Sequence, residues 1–312
     1  LVIILLGMAV RAHNLTYHSL WFDEAVSVNW ARQEVPRIVE VSMNLVEDKL
    51  PPLYYLLLHF WVRKVGYSEF ALRFLSVLFG VLLIALAYRL GLELFGRRVG
   101  LVGAALVAAN PFLVWYSQEV RMYALAAFFA VATTFCFIKA LREEESSAWW
   151  WAGYVLGAAA GLYTHLFTGF LLPAHALFFL ASWRRYGRQW LRVGVALLAV
   201  ALLFAPLAWA NWQASSEAGP GDPLADLGGR LWLLLTAFTT YKAQVSPVIV
   251  ALLGLAALFS WGDTRREGAL CLALVVAVPI AIADLLLLRS RLMFYGPRYF
   301  IVVTPFLMLA IA

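Results

Sequence analysis

The sequence predicts an all-α, polytopic membrane protein, and three observations carry that reading. Hydrophobic residues make up 63% of the 312 positions and charged residues only 13%, about half the charge usual in a soluble domain. Mean hydropathy is +0.81. The apolar residues come in long Leu/Ala-rich blocks separated by short charged clusters, without the period-2 alternation of a transmembrane barrel.

Residues 1–12 read as part of a first spanning helix, and residues 13–50 as a polar loop. Within that loop one helix is expected from Asp23 to about Glu34 and a second from Pro36 to about Glu47. Their apolar residues, Val28, Ala31, Ile38 and Val41, suit helices lying on a membrane surface. Residues 51–66 hold only about ten apolar residues before His59, Trp61, Arg63 and Lys64, which is short for a span of about 20. If they crossed, Arg97 and Arg98 would share a side with the Asp23 loop, against the positive-inside tendency. An interfacial helix is therefore expected there.

Residues 72–92 span, Phe95-Gly96-Arg97-Arg98 turns, and 99–116 return to Tyr116-Ser117-Gln118-Glu119. Residues 120–141 cross again to a mixed turn at Arg142-Glu143-Glu144-Glu145. Residues 149–163 go back behind a Trp149-Trp150-Trp151 belt, leaving Thr164 and His165 at the outer surface. Residues 166–182 lead to Arg184-Arg185-Tyr186-Gly187-Arg188, a strong cytoplasmic signal, and 190–210 cross outward. An external loop over 212–229, an interfacial or re-entrant piece plus one span within 230–260, and a span over 269–288 follow. The external loop from Arg289 to Pro297, with Arg291 inside it, then leads to a last span from 299. The chain begins and ends inside apolar runs, so both terminal helices are expected to continue beyond it. Residues 1–312 are expected to form one transmembrane domain, with 13–66 as its external loop and interfacial helices.

The formal charge of +6 lies largely in short runs between apolar blocks, where it sets orientation and gives no reason to expect nucleic acid. Cys136 and Cys271 sit inside apolar blocks and suggest neither disulfide nor metal cluster. Under this topology Asp23, Glu24, Lys49, Glu119, Arg121, His165, Arg289, Arg291, Arg298 and Tyr299 reach one membrane face. Charge in or near hydrocarbon is costly enough to mark function. Arginines at the interface can hold a phosphate bidentately, and a carboxylate can take a proton from a hydroxyl. Together they suit transfer from a membrane-borne anionic substrate. Two rival readings are a transporter or flippase of such a substrate, which the resemblance given below makes a polyprenyl-linked sugar, and a non-catalytic membrane subunit. The transporter predicts charges at mid-membrane depth and an internal repeat, but the candidate charges lie near block ends and no convincing repeat is present.

Five stretches, in order, carry a resemblance to a known family: Trp21-Phe22-Asp23-Glu24-Ala25, Pro51-Pro52-Leu53-Tyr54-Tyr55, Phe95-Gly96-Arg97-Arg98, Tyr116 to Tyr123, and Tyr295-Gly296-Pro297-Arg298-Tyr299. The chain resembles the polytopic glycosyltransferases of the C superfamily (GT-C). Its nearest branch is the dolichyl-phosphate-mannose protein mannosyltransferases and the bacterial lipid A aminoarabinose transferase. The resemblance covers nearly the whole chain. It implies a GT-C helix bundle with juxtamembrane helices in the first external loop. It implies an integral protein of a prokaryotic plasma membrane, with its site on the non-cytoplasmic side. The implied reaction is inverting transfer of a sugar from a polyprenyl-phosphate donor to a hydroxyl of a glycan, lipid or protein.

By the same resemblance Asp23 is the general base, and Glu24 orients it or contacts the acceptor. Glu119 is a further acidic group at the site. Arg298 meets the donor phosphate, with Arg121, Lys49 and Tyr299 beside it, and His165, Tyr54 and Tyr55 are sugar or acceptor contacts. Many relatives carry His before the paired prolines. Here that position is Leu50, with Lys49 one further back, so the histidine's role does not carry over. Oligosaccharyltransferases of the superfamily use a divalent metal, whereas the mannosyltransferase-like branch implies none. No DxD arrangement is present and no cofactor is expected, although Asp23, Glu24 and Glu119 could form a weak oxygen site for a divalent cation.

Overall fold

A computed structural model describes residues 1–44, 50–143, 147–215, 227–239, 266–288 and 296–312, and among these every element is helical. The chain begins with α1 (Val2–Ala12), followed by the short helices α2 (Phe22–Arg32), α3 (Val35–Asn44) and α4 (Leu53–Val65). The long helix α5 (Glu69–Phe95) comes next, then α6 (Arg97–Ala109), α7 (Pro111–Ser117), α8 (Tyr123–Arg142) and α9 (Ser147–Leu162). A 3₁₀ turn (Leu166–Phe170) leads into α10 (Leu171–Ala181), α11 (Trp183–Tyr186) and α12 (Trp190–Ser215). The remaining helices are α13 (Leu227–Thr239), α14 (Arg266–Leu288) and, after a 3₁₀ turn at Pro297–Phe300, α15 (Thr304–Ile311).

Among the described residues four stretches are long and apolar enough to cross a membrane: Glu69–Phe95, Tyr123–Arg142, Trp183–Ala210 and Arg266–Leu287. The protein is an all-α polytopic membrane bundle. α5 starts where Ser68 caps it, its hydroxyl accepting from the Ala71 amide at 3.2 Å, with Glu69 in the first turn. Its 27 residues reach about 40 Å, and Gly96 ends it at φ 95°, a conformation that glycine adopts without steric cost. α6 returns tightly against α5. A Cβ at Gly91 would lie 2.8 Å from the Gly100 Cα, so the small residues are what let these two backbones approach. α5, α6, α8 and α9 pack in sequence around a core that includes Ile84, Leu90, Val107, Phe112 and Ala126, and α15 closes it with Phe306.

The expected single span over 99–116 is instead broken. α6 and α7 meet at 58°. Asn110 leaves helical geometry, its Oδ1 accepts from the Leu113 amide at 3.0 Å, and Pro111 begins the next helix. Carbonyls freed by a break need partners where water is scarce. Arg11, fully buried on α1, donates to the Ala108 and Val107 carbonyls at 2.8 and 3.0 Å and to Ser117 Oγ at 3.3 Å. Asn110 Nδ2 donates to the Phe238 carbonyl at 2.7 Å, tying α13 to the same break.

α4 does not cross. Its 13 residues reach about 20 Å, less than a hydrocarbon core of about 30 Å. The amide of Leu53, at its start, donates to the Tyr163 carbonyl just past α9 at 2.9 Å. Past its end, Tyr67 lies under Arg32 of α2. α4 thus starts and finishes at one end of the bundle, packed on α2, α3 and the first turns of α5. At the other end Arg142 joins Glu93 and Glu267 at 3.0 Å each, and Arg185 also pairs with Glu267. Lys49, Arg289, Arg291, most of the 212–229 loop and the part of 230–260 beyond Thr239 lie outside the described residues.

Candidate active site

The first turn of α2 carries the two carboxylates, Asp23 and Glu24, where the positive end of a helix favours them. Their surroundings differ sharply. Glu24 is 1% exposed. Arg73, on the first turns of α5, donates Nε to Glu24 Oε1 at 2.9 Å and Nη2 to Oε2 at 2.7 Å. The amides of Val120 and Trp21 complete the set at 3.0 and 3.2 Å. Nη1 of the same arginine donates to the carbonyls of Leu15 and His18 at 2.7 and 2.8 Å, and Nη2 to that of Ser19 at 3.3 Å. The pair therefore staples the first loop, α2, α5 and the 118–122 segment into one unit. Both oxygens of Glu24 are thus occupied by protein donors.

Asp23 stands at the open edge of that unit. Its side chain is one-quarter exposed, and Oδ2 accepts from Arg298 Nη1 at 3.3 Å. Oδ1 has no partner among the described residues. Arg121 Nη1 donates to the Asp23 carbonyl at 3.2 Å and to Ser27 Oγ at 3.3 Å, and Ser27 in turn donates to the Asp23 carbonyl at 3.1 Å. Arg121 is thus part of what holds Asp23 in place. Arg298 follows the Gly296-Pro297 entry to the 3₁₀ turn, donates Nη2 to the Tyr299 hydroxyl at 3.1 Å and lies over the Tyr299 ring.

Tyr299 stacks on His165 with centroids 5.8 Å apart, and Tyr123 closes on the same imidazole. His165 and Thr164, expected at the outer surface, are buried, because the α9-to-α10 connection folds inward beneath the 297–300 turn. Burial, together with Arg121 and Arg298, pushes the His165 pKa down to about 3. The ring is neutral at pH 7. Its Nδ1 accepts from the Phe167 amide at 3.3 Å, which leaves the proton on Nε2.

Glu119 sits beside Trp115, whose Nε1 donates to Oε1 at 2.8 Å, while buried Oε2 has no partner among the described residues. Burial, and secondarily the neighbouring Glu24, pushes its pKa up to about 7. A cavity of about 540 Å³ adjoins it, lined by Trp21, Trp115, Tyr116 and Glu119 along with Glu24 and Arg73. Tyr54 and Tyr55 do not reach this space. They are 2% and 1% exposed, and the Tyr54 hydroxyl bonds to Ser76 Oγ at 2.9 Å, which in turn donates to the Arg121 carbonyl. They pack behind the site. Among the described residues no group of three His, Cys, Asp or Glu side chains is placed to hold a metal.

Arg73 escaped the sequence reading because it lies inside an apolar spanning block. That position was itself the available signal, since an ionised group at such a place needs a buried partner.

The fold is a polytopic helix bundle of the GT-C type. A family model described as dolichyl-phosphate-mannose-protein mannosyltransferase matches residues 49–209, half of the chain, and the chain belongs to that family. Among solved structures it is similar to ArnT from Cupriavidus metallidurans bound to undecaprenyl phosphate, at TM-score 0.69 and 17% identity, covering 99% of this chain and 58% of that one. It is also similar to the apo form of the same protein, at TM-score 0.63 and 15% identity over 92% and 57%. The oligosaccharyltransferase of Archaeoglobus fulgidus in complex with Zn and sulfate matches at TM-score 0.61 and 15% identity, covering 99% and 48%. The chain thus spans about half to three fifths of the length of these structures. No protein of curated function matches it in sequence.

Proposed function

We propose that this chain is a single transmembrane catalytic unit that transfers a sugar, with inversion, from a polyprenyl-phosphate donor to a hydroxyl acceptor. The observation that carries the reading is the Asp23–Arg298 contact at 3.3 Å. It sets a partly open carboxylate beside a cation suited to a phosphate. Family membership and the fold shared with ArnT, whose structure holds undecaprenyl phosphate, support the same donor chemistry.

In this reading the acceptor oxygen attacks the anomeric carbon as Asp23 takes its proton. The bond from that carbon to the phosphate oxygen breaks, and the polyprenyl phosphate leaves with one more negative charge. Arg298 stabilises that charge, and Tyr299 holds the guanidinium in place. Arg121 and the Glu24–Arg73 pair are positioning groups for Asp23. His165, neutral with its proton on Nε2, is a hydrogen-bond donor for a sugar hydroxyl. Glu119, titrating near neutrality, is placed to exchange hydrogen bonds with an acceptor in the aromatic-walled cavity. The clustering of Arg97, Arg98, Arg184, Arg185 and Arg188 at the opposite end supports a site on the non-cytoplasmic face.

The experiment is release of polyprenyl phosphate by the purified chain from a panel of polyprenyl-phosphate sugars, with candidate glycan, lipid and peptide acceptors. Acceptor-dependent release from one member is expected. No release from any donor, with donor binding intact, would count against transfer.

A further inference from the structure

At the end of the bundle opposite Asp23, a cavity of about 790 Å³ is lined by Arg142, Arg184, Arg185, Arg188, Trp183 and Gln189, among others. Its charges are unevenly satisfied. Arg142 is held by Glu93 and Glu267, and Arg185 by Glu267. Arg184 and Arg188 are exposed and have no partner among the described residues. Gln189 is 5% exposed and spends its Nε2 on the Leu141 carbonyl at 2.8 Å. Its Oε1 is buried with no partner among the described residues. The cavity therefore offers free cationic donors and one unsatisfied acceptor. Trp183 and Trp190, half-exposed or more, bracket it as membrane-interface residues do.

We infer that this cavity binds the headgroup of an anionic bilayer phospholipid that carries a hydrogen-bond donor beyond its phosphate. Arg184 and Arg188 take the phosphate oxygens, as guanidinium groups do. Gln189 Oε1 accepts from a headgroup hydroxyl, which a choline headgroup lacks. The acyl chains lie along the bundle beside Trp183. The site is separate from the transfer site and does not depend on its assignment.

The test is native mass spectrometry of the detergent-purified chain loaded with phosphatidylglycerol or with phosphatidylcholine of the same acyl chains. Wild type is compared with R184Q/R188Q and with R97Q/R98Q, which removes equal charge from the same face outside the cavity. The inference expects one tightly retained phosphatidylglycerol, at least ten-fold weaker in R184Q/R188Q and unchanged in R97Q/R98Q. It is overturned if R184Q/R188Q retains the lipid like wild type. It is overturned equally if R97Q/R98Q loses as much, if phosphatidylcholine is held as well, or if millimolar inorganic phosphate displaces the lipid. All three proteins should elute alike on size exclusion, since these arginines are exposed.

Discussion

Replacing Arg73 with Met tests the staple that holds the site together. In the native protein Glu24 is 1% exposed and takes two of its four hydrogen bonds from Arg73. Arg73→Met leaves that carboxylate buried with only the Trp21 and Val120 amides. Removing one member of a buried pair costs about 3–5 kcal/mol, because the other charge stays desolvated. The carbonyls of Leu15, His18 and Ser19 also lose their donor, at about 1 kcal/mol each, though water reaches part of that loop and recovers some of it. A net loss of about 5 kcal/mol is expected. Arg73→Met with Glu24→Leu removes both charges together, so the double variant should recover at least 1 kcal/mol of that loss. Unfolding of the purified protein by SDS titration, followed by tryptophan fluorescence, gives the four corners of the cycle. If Arg73→Met unfolds within about 1 kcal/mol of wild type, or the two changes simply add, the pair is not what secures the loop.

Three further outcomes follow from the same geometry. Glu119 keeps its proton up to about pH 7 when folded, whereas an unfolded glutamate loses it near 4.3. Folding stability therefore falls as pH rises between those values, and Glu119→Gln should be little different from wild type at pH 4 but more stable at pH 8, by up to about 3 kcal/mol. A pH-independent difference in melting temperature would contradict this. Asn110→Ala removes the α7 cap and the bond to Phe238 and should cost about 2 kcal/mol in the same SDS titration; a neutral effect would mean the break does not rely on it. Arg298→Gln should lower kcat/KM for the donor about 10- to 100-fold, the worth of a charge-assisted bond, with Arg298→Lys recovering part of it; an unchanged kcat/KM would remove Arg298 from the phosphate.

Much of the fold was legible in the sequence because block length and charge placement are set by the bilayer. The brevity of the apolar stretch at 51–66 and the side of Arg97 and Arg98 foretold that α4 stays at one face, and α4 indeed starts and finishes beside α2 and Tyr163. The broken helix was missed although Asn110-Pro111 is a turn-forming dipeptide, because the apolar block around it runs on without a charge. At the site, order along the chain brought Asp23, Arg121, His165 and Arg298 together. The resemblance gave Asp23 and Glu24 different roles, but their residue chemistry alone did not, since adjacent carboxylates look alike until the fold assigns Arg73 to one and Arg298 to the other. Tyr54 and Tyr55 misled for the opposite reason. By the resemblance, tyrosines after paired prolines suggest sugar or acceptor contacts, and only the packing of α4 on α5 puts them in the core.

The central claim is that the carboxylate of Asp23 accepts the acceptor's proton. Asp23→Asn keeps the shape and the first turn of α2 while removing the base. The decisive measurement is the rate of sugar transfer by Asp23→Asn, alongside donor affinity measured on the same preparation. A loss of at least 100-fold in kcat with donor binding retained is expected. Transfer within a few-fold of wild type would contradict the account.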